Sequence, residues 1–131
     1  MIKIPRDIVD AIIQQAVREL PNEACGLLVG KENEVTKQFP LTNIDESPEH
    51  FSFDPSEQFN VLRFARAESL GIIANYHSHP SSPARPSDED IRLAYDPTIV
   101  YIIVSLAAEQ PSVKAFHIDG GKSAEISIEF V

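Results

Sequence analysis

Between residues 6 and 20, apolar side chains recur at helical spacing: Ile8, Ile12 or Ile13, Ala16 and Leu20. The pattern predicts an amphipathic helix, with Pro5 and Asp7 suited to its first turn and Pro21 to its end. Cys25 to Val29 is a short apolar run closed by Gly30, which reads as a strand. Glu34 to Pro40 can pair back with it through the turn-like Lys31-Glu32-Asn33. Thr42 to His50 is polar and holds a proline, so it reads as a loop, and Phe51-Ser52-Phe53 alternates like a short strand. A second helix starts with Asp54 as N-cap and Pro55 at the first helical position. Phe59, Leu62, Ala65 or Arg66 and Ser69 trace it to Gly71.

Ile72 to Ser78 is the next strand, Pro80 to Pro86 a loop, and Ser87 to Tyr95 a short third helix. Ile99 to Leu106 is rich in β-branched residues without polar alternation, the mark of a central strand buried on both faces. Ser112 to Ile118 and Ala124 to Val131 alternate, and Asp119-Gly120-Gly121-Lys122 between them signals a hairpin. The expected fold class is α/β (α+β): one domain over residues 1–131, a mixed sheet of about six strands flanked by helices.

Composition narrows the function. The chain has 131 residues, 43% hydrophobic and 24% charged, ordinary for a globular domain with its own core. The net charge of −9, with no basic stretch to offset it, argues against a nucleic-acid partner. No apolar run approaches the roughly 20 residues of a membrane span. The first residues lack the plan of a signal peptide, so a cytoplasmic location is expected. Cys25 is the only cysteine, which excludes an intrachain disulfide and a cysteine-based metal cluster. A metal here must be held by histidines and carboxylates.

The segment from Tyr76 to Ile91 offers that set. His77 and His79 stand two apart on a strand, so both project from one face. The strand ends at Pro80, beside a proline-restricted loop, where a ligand can enter. Ser87 then begins a helix, and Ser87-Asp88-Glu89-Asp90 has the spacing of a capping box. Asp90, in the first turn, can reach the two histidines. Two imidazoles and one carboxylate leave a fourth zinc position open for water. Such water needs a nearby carboxylate to take and return its proton, and Glu23 is the candidate, just before a strand expected beside the histidines. The Ser87 hydroxyl can donate to an oxyanion. A His-x-His pair or a Ser-x-x-Asp cap alone reads as ordinary structure; their joint occurrence, after Glu23-Ala24-Cys25-Gly26-Leu27-Leu28, points to a metal site.

Glu23, His77-Ser78-His79-Pro80, Ser87 and Asp90 resemble the JAMM motif of the MPN-plus metallopeptidases, and the resemblance covers almost the whole chain. It implies a fold like that of cytidine deaminases, a curved sheet between helices. It also implies Zn2+ held by His77, His79 and Asp90, with Glu23 as general acid/base and Ser87 as oxyanion donor. Family members cleave peptide or isopeptide bonds after the C-terminal glycine of ubiquitin or ubiquitin-like proteins. The compact chain, with Asn75-Tyr76 before the histidines, is similar to the stand-alone prokaryotic members. Several of those act on ubiquitin-like sulfur-carrier proteins, so a carrier tail is the expected partner. The competing readings are a non-catalytic MPN scaffold and a DNA-associated protein. The first is disfavoured because every motif position is filled, the second because the chain is acidic.

Five other features read as structural. Cys25 suits a small buried core residue, and His50 and His117 read as structural or exposed. Gly120-Gly121 reads as a turn. Arg85 reads as solvated, with steering of a carboxylate as its functional alternative. Phe51 and Phe53 read as core packing, or as the flank of a groove where an extended tail adds a strand.

Overall fold

A computed structural model describes residues 1–131. The elements in chain order are β1 (Ile2–Ile4), α1 (Arg6–Arg18), β2 (Cys25–Lys31), β3 (Glu34–Leu41), α2 (Pro55–Ala67) and β4 (Gly71–His79). They continue with α3 (Asp88–Arg92), β5 (Val100–Ser105), β6 (Ser112–Asp119), β7 (Lys122–Ile126) and β8 (Ile128–Phe130). All eight strands form one mixed sheet in the order β7-β6-β5-β4-β2-β3-β1-β8. No helix is long and apolar enough to cross a membrane.

The sheet has eight strands where the sequence pattern suggests about six. Two segments account for the difference. Ile2–Ile4 is a three-residue strand, too short to show a period. The expected strand from Ala124 to Val131 is two strands, β7 paired with β6 and β8 paired in parallel with β1. Only Ser127 separates them, although β7 and β8 stand at opposite ends of the strand order. The sheet therefore curls until its two ends meet at one residue, where the Ile2 amide donates to the Ser127 carbonyl at 3.1 Å.

Helix α1 fills the inside of that curl. Val9, Ile12 and Ala16 join a buried cluster with Ile2, Ile4, Leu28, Val35, Tyr76 and Ile102. Phe51-Ser52-Phe53 is not a strand; a lone bridge pairs Phe53 with Asn43. The third helix stops at Arg92 rather than Tyr95, while Asp54 caps α2 as its sequence predicts.

Strand β4 is central. It pairs antiparallel with β2 and parallel with β5, and β5 is the strand expected to be buried on both faces. The β2–β4 register steps from Leu28↔Ala74 to Val29↔Ile72, leaving Ile73 as the extra residue of a bulge. Beyond the bulge, Ala74, Tyr76 and Ser78 face α1, and Asn75, His77 and His79 face the other side. There α2 covers Cys25, Leu27 and Val29, and a third cluster forms around Tyr101, Ile103 and Ile118.

Tyr76 anchors the α1 side. Its hydroxyl donates to Gln15 Oε1 at 2.5 Å and accepts from Gln38 Nε2 at 3.0 Å, while Gln15 Nε2 donates to the Cys25 carbonyl at 3.0 Å. The Tyr76 ring lies where a side chain on Gly26, its cross-strand partner, would project. Gly26 is therefore set by packing rather than by backbone angle. Gly26→Ala is expected to lower stability by about 3 kcal/mol through overpacking, read as a lower urea midpoint at unchanged m-value.

Candidate active site

The site assembles where β4 ends. His77 and His79 project from its last turns of pleat, both buried. The chain then crosses over to β5 through the proline loop and α3, which returns Asp90 to the two rings. His77 Nε2, His79 Nε2 and Asp90 Oδ2 form a triangle with all three edges at 3.1 Å. The sequence-predicted trio is thus brought together, as a group able to hold a metal ion.

The surroundings fix each corner. The Pro83 carbonyl lies 2.8 Å from His79 Nδ1 and can only accept, so that nitrogen carries the proton. In the neutral ring, Nε2 then turns a lone pair toward Asp90. His77 is held differently: Phe51 stacks on it at 4.6 Å and 22°, and its buried Nδ1 has no hydrogen-bond partner. Asp90 is positioned by a true capping box. Its amide donates to Ser87 Oγ at 3.0 Å, and the Ser87 amide donates to Asp90 Oδ2 at 2.9 Å. The exposed Ser87 hydroxyl accepts in that bond and keeps its own proton free.

Asp90 and His79 each favour their charged form. Burial alone would raise the pKa of Asp90, yet hydrogen bonding to His77 and His79 holds it well below the usual carboxylate range. Burial alone would lower His79, yet its bonds to Asp90 and the Pro83 carbonyl raise it. A divalent ion fits this set. Three ligand atoms about 2.05 Å from a tetrahedral zinc lie roughly 3.3 Å apart, close to the observed triangle.

Glu23 sits beside this triangle. Cys25 is in register with His77, and mutual hydrogen bonds join Ala24 to Ser78, so Glu23 falls next to His79. The residue is buried and its Oε1 has no hydrogen-bond partner. Burial pushes its pKa up to about 8, with His79 opposing and Asp90 adding to the rise. Asn43, inside the polar loop expected over Thr42 to His50, secures this segment. Its Nδ2 donates to the Glu23 carbonyl at 3.0 Å and the His50 carbonyl at 2.9 Å. Its Oδ1 accepts from the amides of Asp45 and Ser52. One side chain thus ties Glu23 to the loop that presents Phe51. The nearest sequence signal was Asn43 two residues after the strand end, not enough to identify it.

A cleft of about 640 Å³ opens from the triangle between α2 and α3, lined among others by Leu27, Phe53, Leu62, Asn75, Leu93 and Tyr101. Phe51 and Phe53 line it too, so both flank a groove. His50 pairs at 2.7 Å with Glu89, which lines the cleft, and His117 is exposed. Cys25 is fully buried and its thiol is pushed up to about 12, first by burial, which rules out a thiolate nucleophile at neutral pH. Gly120 and Gly121 form the hairpin turn with φ of 59° and 79°.

Residues 5–119 match the family model Prok-JAB, prokaryotic homologs of the JAB domain. The chain is 36% identical over 104 residues to the CysO-cysteine peptidase of Mycobacterium tuberculosis, covering 78% of this chain and 71% of that protein. It is 34% identical over 106 residues to the desampylase of Pyrococcus furiosus, covering 81% and 75%. A solved Desulfitobacterium hafniense structure superposes with a TM-score of 0.91 at 42% identity, covering 100% of this chain and 93% of that one. A structure described as a JAMM metalloprotease-like zinc site in the proteasome and signalosome superposes with a TM-score of 0.62 at 25% identity, covering 100% and 98%. With its motif residues gathered at one end of β4 and these relatives around it, the chain belongs to the Prok-JAB family and is a JAMM-type peptidase.

Proposed function

We propose that residues 1–131 form one zinc-dependent hydrolase domain that cleaves the bond after the C-terminal glycine of a ubiquitin-like, sulfur-carrier-type protein. The observation that carries this is the equilateral triangle of His77, His79 and Asp90 beside a buried, unpartnered Glu23 carboxyl. Two relatives support the substrate class, one named as a peptidase of CysO-cysteine and one as a desampylase. The setting proposed for the reaction is the cytoplasm.

When bound, zinc supplies Lewis acidity, lowering the pKa of water and polarising the scissile carbonyl. The protein's residues do the rest. The Glu23 carboxylate takes the proton of the attacking water and returns it to the leaving amine. The unengaged Ser87 proton donates to the developing oxyanion. The Pro83 carbonyl and the Phe51 ring keep the two imidazoles turned toward the ligand position, so little ordering remains to be done on metal binding. The apolar cleft receives the extended tail and excludes water from it.

Purified protein is expected to bind one zinc per chain, and His77→Ala or a chelator to abolish both metal and hydrolysis, as read by elemental analysis and tail-cleavage assay. Absence of metal from carefully purified, active protein would sink the zinc assignment. Glu23→Gln is expected to cut kcat by about 10²–10⁴-fold while zinc content and the unfolding midpoint stay near wild type.

Glu23 also sets a pH dependence of stability in the metal-free protein. Its folded pKa of about 8 lies above the 4.5 of a freely solvated glutamate, so the native state holds a proton that the unfolded chain releases. Its contribution is fully present below pH 4.5 and is lost as pH rises through 8. Urea unfolding of chelator-treated protein should therefore show Glu23→Gln gaining on wild type between pH 5 and pH 8.5; a constant difference would refute the raised pKa.

A further inference from the structure

Helix α3 and the turn after it carry four apolar residues: Ile91, Leu93, Ala94 and Tyr95. Ile91 and Ala94 pack against the cluster around Tyr101 and fasten α3 to the sheet. Leu93 and Tyr95 take no part in that packing; they line the cleft and are 46% and 81% exposed. Single exposed apolar residues are common, but two together on the wall of a cleft that ends at the catalytic triangle mark a contact surface. What the surface meets follows from which residues line the cleft. His77 and Asp90 do, whereas Glu23 and His79 do not. Glu23 returns its proton to the leaving amine, so the leaving group belongs on the Glu23 side and the carrier tail in the cleft. The lining holds the carboxylates of Glu89, Asp90 and Asp96 and no lysine or arginine, so it suits a segment without acidic side chains.

We propose that Leu93 and Tyr95 are specificity-determining residues that hold one large apolar side chain of the carrier tail, three or four residues upstream of the cleaved bond. The spacing is set by α3. Leu93 follows Asp90 by three residues, so the two share a helix face about 5 Å apart. Tyr95 comes two residues later, up to about 7 Å farther on. An extended tail advances roughly 3.3 Å per residue, so the combined reach of about 12 Å spans three or four of its residues. The residues nearer the bond pass the Phe51 ring stacked on His77, where glycines without a Cβ come close most easily. A leucine-sized side chain beyond them meets Leu93 and Tyr95 on one wall and Leu62 of α2 on the other. The Tyr95 ring adds a broad contact face at low conformational cost. This inference rests on the function proposed above and adds the chemistry of the tail residue that the site selects.

The test uses zinc-loaded protein and fluorescent tail peptides ending in Gly-Gly plus an amino-acid leaving group. Leucine, alanine or aspartate stands at the third and fourth upstream positions in turn. At one of these positions wild type is expected to favour leucine over alanine by about ten-fold or more in kcat/KM, and to reject aspartate more strongly still. Leu93→Ser and Tyr95→Ser are each expected to cut kcat/KM on the leucine tail by about ten-fold while losing little on the alanine tail, so the preference shrinks. Zinc content and unfolding midpoint should stay near wild type, because both side chains are largely exposed without substrate. Leu93 adjoins the short α3, so Tyr95→Ser, beyond the helix, decides the matter if Leu93→Ser loses zinc. Wild type that cleaves all the tails alike overturns the assignment and leaves the proposed function standing. An unchanged preference in Tyr95→Ser also overturns it, as does self-association of wild type that Tyr95→Ser abolishes, which would make a second copy the occupant. Wild type that binds the leucine tail over the alanine tail by fluorescence anisotropy, yet cleaves neither, overturns the proposed function and leaves the contact in place.

Discussion

Two parallel strands cannot be joined by a tight turn, and everything at the site follows from that constraint acting on β4 and β5. The chain leaves β4 at His79 and must travel back to the start of β5 before it can pair. The route carries α3 over the end of the sheet and returns Asp90 to the histidines it has just passed. Ligands in open sheets gather at the carboxyl ends of parallel strands for this reason. The return path is pinned along its length. The Ser105 hydroxyl, at the end of β5, donates to the Ser82 carbonyl at 2.6 Å, and buried Ala84 packs into the cluster around Tyr101. A loop held at both flanks can present the Pro83 carbonyl to His79 without much residual motion.

β4 divides its labour by parity. Residues facing α1 make structure: Tyr76 with its Gln15 and Gln38 bonds, and Ser78, whose hydroxyl accepts the Ala24 amide at 2.8 Å. Residues facing α2 and α3 make chemistry. The two sides communicate through short links. Ser78 holds Ala24, and Ala24 is the neighbour of Glu23, so a scaffold residue between the two histidines also sets where the proton carrier stands. The Ile73 bulge makes the parity work, because it lets Ile72 pack under α2 while Asn75, His77 and His79 keep the same face.

The centre of the site was legible because its signals are local. A His-x-His pair on a strand fixes a common face, a Ser-x-x-Asp run fixes a helix start, and Glu23 precedes an apolar strand. None of these needs knowledge of the rest of the fold. The sheet's ends were not legible for the opposite reason. The alternation in residues 122–131 runs on smoothly through Ser127, so nothing local marks where β7 gives way to β8. What changes at Ser127 is the partner strand, and partners are chosen by the whole fold. Asn43 escaped for a related reason. Asn43 matters because three backbone groups of one loop and the Glu23 carbonyl converge on it. That fact exists only in three dimensions.

The single-residue joint at Ser127 bears on how the chain reaches this state. β8 completes the sheet by lying against β1, so segments from opposite ends of the described chain meet side by side. The Arg6 amide donates to the Val131 carbonyl at 3.1 Å and the Val131 amide to the Ile4 carbonyl at 3.0 Å, drawing the start of α1 into the same seam. Closing such a seam has a large loop-entropy cost before its contacts form, which slows folding. During synthesis the apolar stripe of α1 would emerge early and wait for residues 128–130 before its enclosure is complete. The curl that shelters the core in the finished molecule therefore leaves it open for the longest part of its assembly.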